Sequence, residues 1–301
     1  MKNILSAIII SCLAALFAYA QEGGNTGMAF LKLGVGSRAL AMGEAYCAIA
    51  SDPSAVYYNP AALSLSNTSQ LLLMHKEWIQ DTRTDFIAAK ASLNALTFGL
   101  GINSTSVDNI EIRENPGPAE GTFNARNAAI GISASYQFDS TVSVGATGNF
   151  LYEKILTNEA SGFGLNLGAL VRTHWNVQLG MSVSNLGSMK ALDQSSSKLP
   201  TTTRIGGAYE TLLESLDGTL TAAAEIVSVT QDNTLHAHVG AELEYRHAFS
   251  MRAGYQTGYD AKNFSAGVGV RYGMFRVDYA FMPVEYDLGT MHTFTLLLEF
   301  Q

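Results

Sequence analysis

The sequence predicts an all-β fold: a 14-stranded antiparallel transmembrane β-barrel, preceded by an N-terminal segment of a different character. Three observations carry this expectation. From about Ser69 to the end, apolar and small polar side chains alternate with a period of two, as strands between two unlike surroundings require. Aromatic residues fall at the ends of the apolar faces (Phe138, Trp175, Tyr209, Tyr245, Phe249, Tyr272, Phe275 and Phe300), where an interfacial girdle would sit. The chain is also poor in charge, 15% of 301 residues against about 25% in soluble proteins, and its polar face is Gly, Ser, Thr and Asn. A soluble sandwich would alternate too, but with Lys and Glu on its wet face.

At the N-terminus, Met1-Lys2-Asn3 carries one positive charge, Ile4–Phe17 is nearly unbroken apolar sequence, and Ala18-Tyr19-Ala20 offers a small-x-small cleavage site. This is the layout of a secretory signal peptide over 1–20, too short to favour a spanning helix. A competing lipoprotein-type cleavage before Cys12 would leave the apolar Leu13–Ala18 stretch on the mature chain. With Cys12 removed, Cys47 stands alone, and its simplest role is that of a small buried apolar residue.

Residues 21–66 do not alternate. They are apolar and rich in small residues, with a short helix expected over Ser37–Ala50 and punctuation at Pro53 and Pro60. A segment too apolar for water and too irregular for lipid belongs inside the barrel, as a lumenal plug or hatch. The barrel then occupies 67–301. Its strands are expected at 69–78, 84–93, 95–106, 127–138, 141–155, 161–173, 175–187, 201–211, 219–230, 234–245, 249–257, 263–272, 275–283 and 291–300. The first two break the rule, since Leu71-Leu72-Leu73 does not alternate and Lys90 interrupts a face. Tight turns near Asp139, His174, His247 and Gly273 contrast with long polar loops at 107–126 and 187–200, the asymmetry of short periplasmic turns and longer external loops. The last strand sets Phe294, Leu296, Leu298 and Phe300 on one face and ends on an aromatic, which resembles an outer-membrane insertion signal.

Nine charged residues project inward in this register: Arg172, Arg204, Glu225, Glu242, Arg252, Arg271, Arg276, Asp278 and Glu299. Their mixed signs suit mutual pairing that holds the plug; a selective polar constriction is the alternative. In the hairpin around Arg246-His247-Ala248, Tyr245 should pair with Phe249 and Glu242 with Arg252, and Leu40 of the plug should approach Ser182. His236, His238, Glu242 and Glu244 share one face, but alternate residues of a strand are about 7 Å apart, so they cannot close on one metal ion. Gly34-x-Gly36 and Gly99-x-Gly101 have no nucleotide-loop context, and no cofactor or enzymatic activity is expected. The net charge of −8 argues against nucleic acid as a partner.

Phe30–Ala45 (FLKLGVGSRALAMGEA) followed by Ala50–Leu63 (ASDPSAVYYNPAAL) resembles the N-terminal signature of the PorV/PorQ family; Asn59-Pro60-Ala61 is similar to the FadL-type transporters, and the closing Leu288–His292 resembles this group as well. The motif positions are Phe30, Gly34, Gly36, Arg38, Met42, Gly43, Asn59, Pro60 and Ala61. The resemblance implies a 14-stranded outer-membrane barrel with an N-terminal hatch and lipid around it. It implies one of two roles. PorV and PorQ serve type IX secretion, one carrying secreted cargo and the other anchoring an attachment component, so secretion-system proteins would dock on loops 107–126 and 187–200. FadL-like members pass hydrophobic small molecules such as fatty acids. The first role is the leading expectation, with Glu111, Glu114, Pro116, Pro118 and Glu120 on the docking surface.

Overall fold

Alternating side chains that must meet lipid on one face leave every backbone group to be paired along the wall, and closure is what removes the unpaired edge. A computed structural model, which describes residues 27–78, 82–113, 117–192, 198–230, 235–286 and 289–300, shows this closure. The strands are β1 Ser69–Glu77, β2 Thr82–Leu93, β3 Leu96–Ile112, β4 Gly121–Gln137, β5 Val142–Ile155, β6 Asn158–Arg172 and β7 Val177–Met189. They continue as β8 Thr202–Leu213, β9 Gly218–Val229, β10 Leu235–Tyr245, β11 Phe249–Thr257, β12 Phe264–Tyr272, β13 Phe275–Val284 and β14 Gly289–Phe300. Each pairs antiparallel with its sequence neighbours, and β1 pairs with β14 from Ser69↔Phe300 to Glu77↔His292, closing a ring of 14. The signal peptide expected over 1–20, Cys12, the start of the 21–66 segment, Glu114, Pro116 and Leu288 lie outside the described residues.

The outward face is one that water would not wet. Ile132, Phe163, Met251 and Val268 are each at least half exposed, and they sit among apolar neighbours all round the ring. So large a continuous apolar surface matches a hydrocarbon surrounding. Trp175 (80% exposed), Tyr272 (85%), Phe138 and Phe300 ring the end of the barrel that carries Ser69 and the short turns. Phe294, Leu296, Leu298 and Phe300 all face outward on β14, whereas Leu297 between them is fully buried inward.

Two expectations need correction. Residues 107–126 are for the most part not a loop: β3 runs on to Ile112 and β4 begins at Gly121, so a two-stranded hairpin projects beyond the wall after a register shift between Val107 and Ile110. Backbone pairing continues past the apolar band because two strands can satisfy each other in water, and Glu111 pairs with Arg113 in the open. Likewise β7 extends to Met189, and Ser188 bridges Lys198 inside the stretch read as loop 187–200.

The two irregular strands at the start have a physical explanation. Leu72 points inward against Leu297 and packs on the N-terminal segment, while Leu71 and Leu73 face outward. Lys90 is inward and donates to the carbonyls of Ser51, Leu63 and Ser66 at 2.8–3.1 Å. Its face is interrupted by a cation because three backbone acceptors wait for it.

Candidate functional site

The inward face meets the chain's own residues 28–65. Short helices at Ser37–Ala41 and Ala55–Tyr58 and 3-10 turns at Ala29–Lys32 and Pro60–Leu65 are linked by irregular chain that is almost wholly buried. Small inward residues are what allow this. A Cβ at Gly240 or Gly254 would collide with the backbone of Met42 and Gly43, and one at Gly145 or Gly168 with Asn59, Pro60 and Ala61. The Gly, Ser and Thr content of the inward face thus reflects close packing by protein, where a crowded hydrated lumen was the expectation.

Each position of the N-terminal motif has a local task. Gly36 (φ 81°) and Gly43 (φ 62°) hold left-handed backbone that a side chain would strain. A Cβ at Gly34 would strike the Glu44 carboxylate and the Tyr58 hydroxyl. Phe30 packs with Met28, Leu31, Leu151, Met189 and Leu199 at the long-loop end, and Met42 is fully buried in the main apolar cluster. Asn59 caps the following turn by accepting from the Ala61 amide (3.1 Å), and its amide group donates to Cys47 O (2.8 Å) and to Ala169 O of β6 (3.2 Å). Pro60 opens that turn, where its missing N–H costs nothing.

Charged side chains hold residues 37–52. Arg38 donates through Nη2 to Glu242 Oε1 (2.6 Å) and through Nε to Oε2 (2.9 Å). Arg252, opposite Glu242 in the β10–β11 register, donates to the same carboxylate and to Asp278 (2.8 Å). Arg276 bridges Asp278 (2.8 Å) and Asp52 (3.5 Å), and Asp52 accepts from the Tyr46 hydroxyl (2.7 Å). A second cluster centres on Glu225, which accepts from the Tyr46 and Cys47 amides (3.0 and 2.8 Å) and from Arg204 (2.7 Å). Arg204 also lies 3.6 Å from Glu44, which Lys262 approaches at 3.1 Å. Burial opposes ionisation of Glu44, but Lys262 and Arg204 override it and hold the carboxyl at about 2. Arg271 pairs with Glu299 (2.6 Å) nearer the short-turn end, and Arg172, half-buried at the tip of β6, stands apart from both clusters.

Sequence reasoning missed Glu44, Asp52, Lys262 and Lys76, and noted Lys90 only as an interruption of a face. Lys76 is buried and donates to Gly34 O at 2.9 Å. Two inward lysines on β1 and β2 are a usable signal, because a buried ammonium demands acceptors from something inside. Leu40 packs with Ala41 and Ala280 of β13, while Ser182 donates to Tyr58 O (2.7 Å); the expected approach of Leu40 to Ser182 is therefore not found. The helix offset places Tyr58, and not Leu40, against β7. His236 stacks on Tyr259 (centroids 3.9 Å) and His238 bonds its hydroxyl (3.0 Å), whereas Glu242 is held by arginines and Glu244 by His247. Among the described residues no cluster of His, Cys, Asp and Glu forms a metal site.

Small cavities lie between the segment and the wall among the described residues. One, of about 40 Å³, touches Leu31, Tyr57, Ser184, Arg204 and Tyr259; another, of about 30 Å³, lies between Val56 and Phe86 and the inward residues of β3–β7. Both border Asn166 and Asn185, where β7 places Ser184 and Asn185 opposite the single Asn166 of β6.

A model of an uncharacterised protein family, UPF0164, matches residues 14–163, which include the whole N-terminal motif. No curated protein sequence matches the chain. Among solved structures, the toluene transporter TodX of Pseudomonas putida aligns with a TM-score of 0.60 at 14% identity, covering 88% of this chain and 97% of its own. The monoaromatic hydrocarbon channel CymD aligns with a TM-score of 0.61 at 14% identity, covering 89% and 98%. At this identity the likeness is one of fold alone.

Proposed function

We propose that the chain is an outer-membrane channel for hydrophobic small molecules, with residues 28–65 as its hatch. The carrying observation is the way that segment is held. Among the described residues its contacts with the wall are non-covalent, apart from the chain's own continuation into β1, and the ring of strands closes without it. Such a segment can shift while the barrel stays closed to lipid. The FadL-like fold shared with a toluene transporter and a monoaromatic hydrocarbon channel supports the same reading. Export by a cleaved leader and residence in the outer membrane belong to this proposal, as does any kinship with the PorV/PorQ group. The secretion-docking role, favoured by motif resemblance alone, gains no further support from the fold.

The test compares toluene flux into proteoliposomes for the wild type, a hatch variant (Asn59→Ala) and a chain lacking 110–122. The hatch variant should change flux several-fold and the hairpin deletion should leave it unaltered. If neither protein nor hatch variant carries toluene above protein-free liposomes, while deletion of the hairpin stops surface delivery of exported proteins in cells, the docking role replaces this one.

A further inference from the structure

Residues 258–263, which join β11 to β12 at the long-loop end, turn back into the mouth of the barrel. Gly258 makes the turn in left-handed backbone (φ 83°). Tyr259 stacks on the inward His236 of β10 (ring centroids 3.9 Å apart), with its hydroxyl 3.0 Å from His238 Nε2. The Lys262 ammonium lies 4.3 Å from the centre of the same ring and donates to Glu44 Oε1 (3.1 Å). Arg38, Arg204 and Arg276 tie the segment to strands of the wall; Lys262 ties it to a connection between strands. The two ends of this contact are unlike, the Lys262 side chain 23% exposed and that of Glu44 3%. Glu44 is also strained, holding left-handed backbone (φ 58°) that a residue with a side chain rarely adopts. Arg204 stands 3.6 Å away, so Lys262 is the nearer of the two cations on this carboxylate.

We infer that residues 258–263 are an outer latch on the N-terminal segment, with Lys262 on Glu44 as its catch. The inference rests on the channel reading above and specifies the contact that governs release of the hatch. When the loop lifts, Lys262 passes into water at little cost, because its side chain is already part-exposed. Glu44 stays buried and loses its nearer counter-charge, which is the expensive side of breaking such a pair. The turn at Glu44 and Ala45 then loses what holds its strained backbone, and it moves first. The helix Ser37–Ala41 stays, because Arg38 remains on Glu242. The latch thus lets the outer mouth of the barrel act on a segment buried inside it.

The test compares the full-length wild type with Lys262→Met, which keeps the length of the side chain and removes its charge, and with Lys262→Arg, which keeps the charge. Amide hydrogen exchange in nanodiscs reads Glu44 and Ala45, which donate to Ala39 O (2.8 Å) and Met42 O (3.2 Å), against Leu40, which donates to Gly36 O (3.0 Å). Exchange at Glu44 and Ala45 should rise about tenfold in Lys262→Met and stay unchanged at Leu40. Toluene flux in proteoliposomes should rise several-fold in the same variant, and Lys262→Arg should match the wild type in both measurements. Heat-modifiable migration on gels checks that Lys262→Met is folded; should it fail, Tyr259→Leu, which removes the ring beneath Lys262, replaces it. Unchanged exchange at Glu44 and Ala45, or an equal rise at Leu40, overturns the latch. Faster exchange without a change in flux overturns it too, provided that the wild type carries toluene. If no variant carries toluene, the channel reading falls, and exchange alone decides the latch.

Discussion

The arc β3–β7 and the arc β8–β14 hold the same N-terminal segment by different physics. On β3–β7 the contacts are made by neutral hydroxyls: Ser135 and Ser143 donate to Ala61 O (3.1 Å each), Thr147 to Val56 O (3.2 Å), and Ser182 to Tyr58 O. On β8–β14 the contacts run through Glu225, Glu242 and Arg276, with carboxylates and guanidiniums buried together. Neutral hydroxyl bonds are individually weak and can be exchanged for water. Buried ion pairs are costly to break from one side, because the remaining charge is stranded. The two arcs therefore hold the segment unequally, residues 37–52 mainly through charged side chains and residues 53–65 mainly through neutral ones, apart from Lys90 on the Leu63 carbonyl.

The largest effect that would break this comparison is at Glu242. Glu242→Gln leaves Arg38 and Arg252 without their shared carboxylate and should cost about 3–5 kcal/mol, read as early loss of protection in hydrogen exchange over 37–52. A variant that exchanges like the wild type would remove the claim that charge anchors this half. Next comes Gly254→Val, which places a side chain against Met42 and Gly43 and should cost about 1–3 kcal/mol by overpacking. Here protease accessibility of the segment is the measurement, and an unchanged digestion pattern would mean that the segment does not press on β11. The smallest effect is on the neutral arc. Ser135→Ala and Ser143→Ala should each cost about 0.5–1.5 kcal/mol, with exchange rising over 53–65 only. Losses as large as those of Glu242→Gln would erase the asymmetry.

Much of the barrel was legible from the residues alone, because a strand between lipid and interior imposes its period on every second side chain. The segments expected at 249–257 and 275–283 recur as β11 and β13, and the register of Glu242 with Arg252 and Tyr245 with Phe249 follows from turn length. Periodicity ends where water takes over, so 107–126 read as loop although it forms a hairpin. The N-terminal motif was equally visible as a departure from period two, yet its residues carry no sign of which wall each one meets. Only the closed ring decided that Leu40 faces β13 and that Lys90 reaches three carbonyls. Alternation is a local property of a chain in two surroundings. Which inward residue meets which part of residues 28–65 depends on contacts between positions up to 258 apart in sequence, as between Ser37 and Thr295, and no local pattern encodes such a pairing.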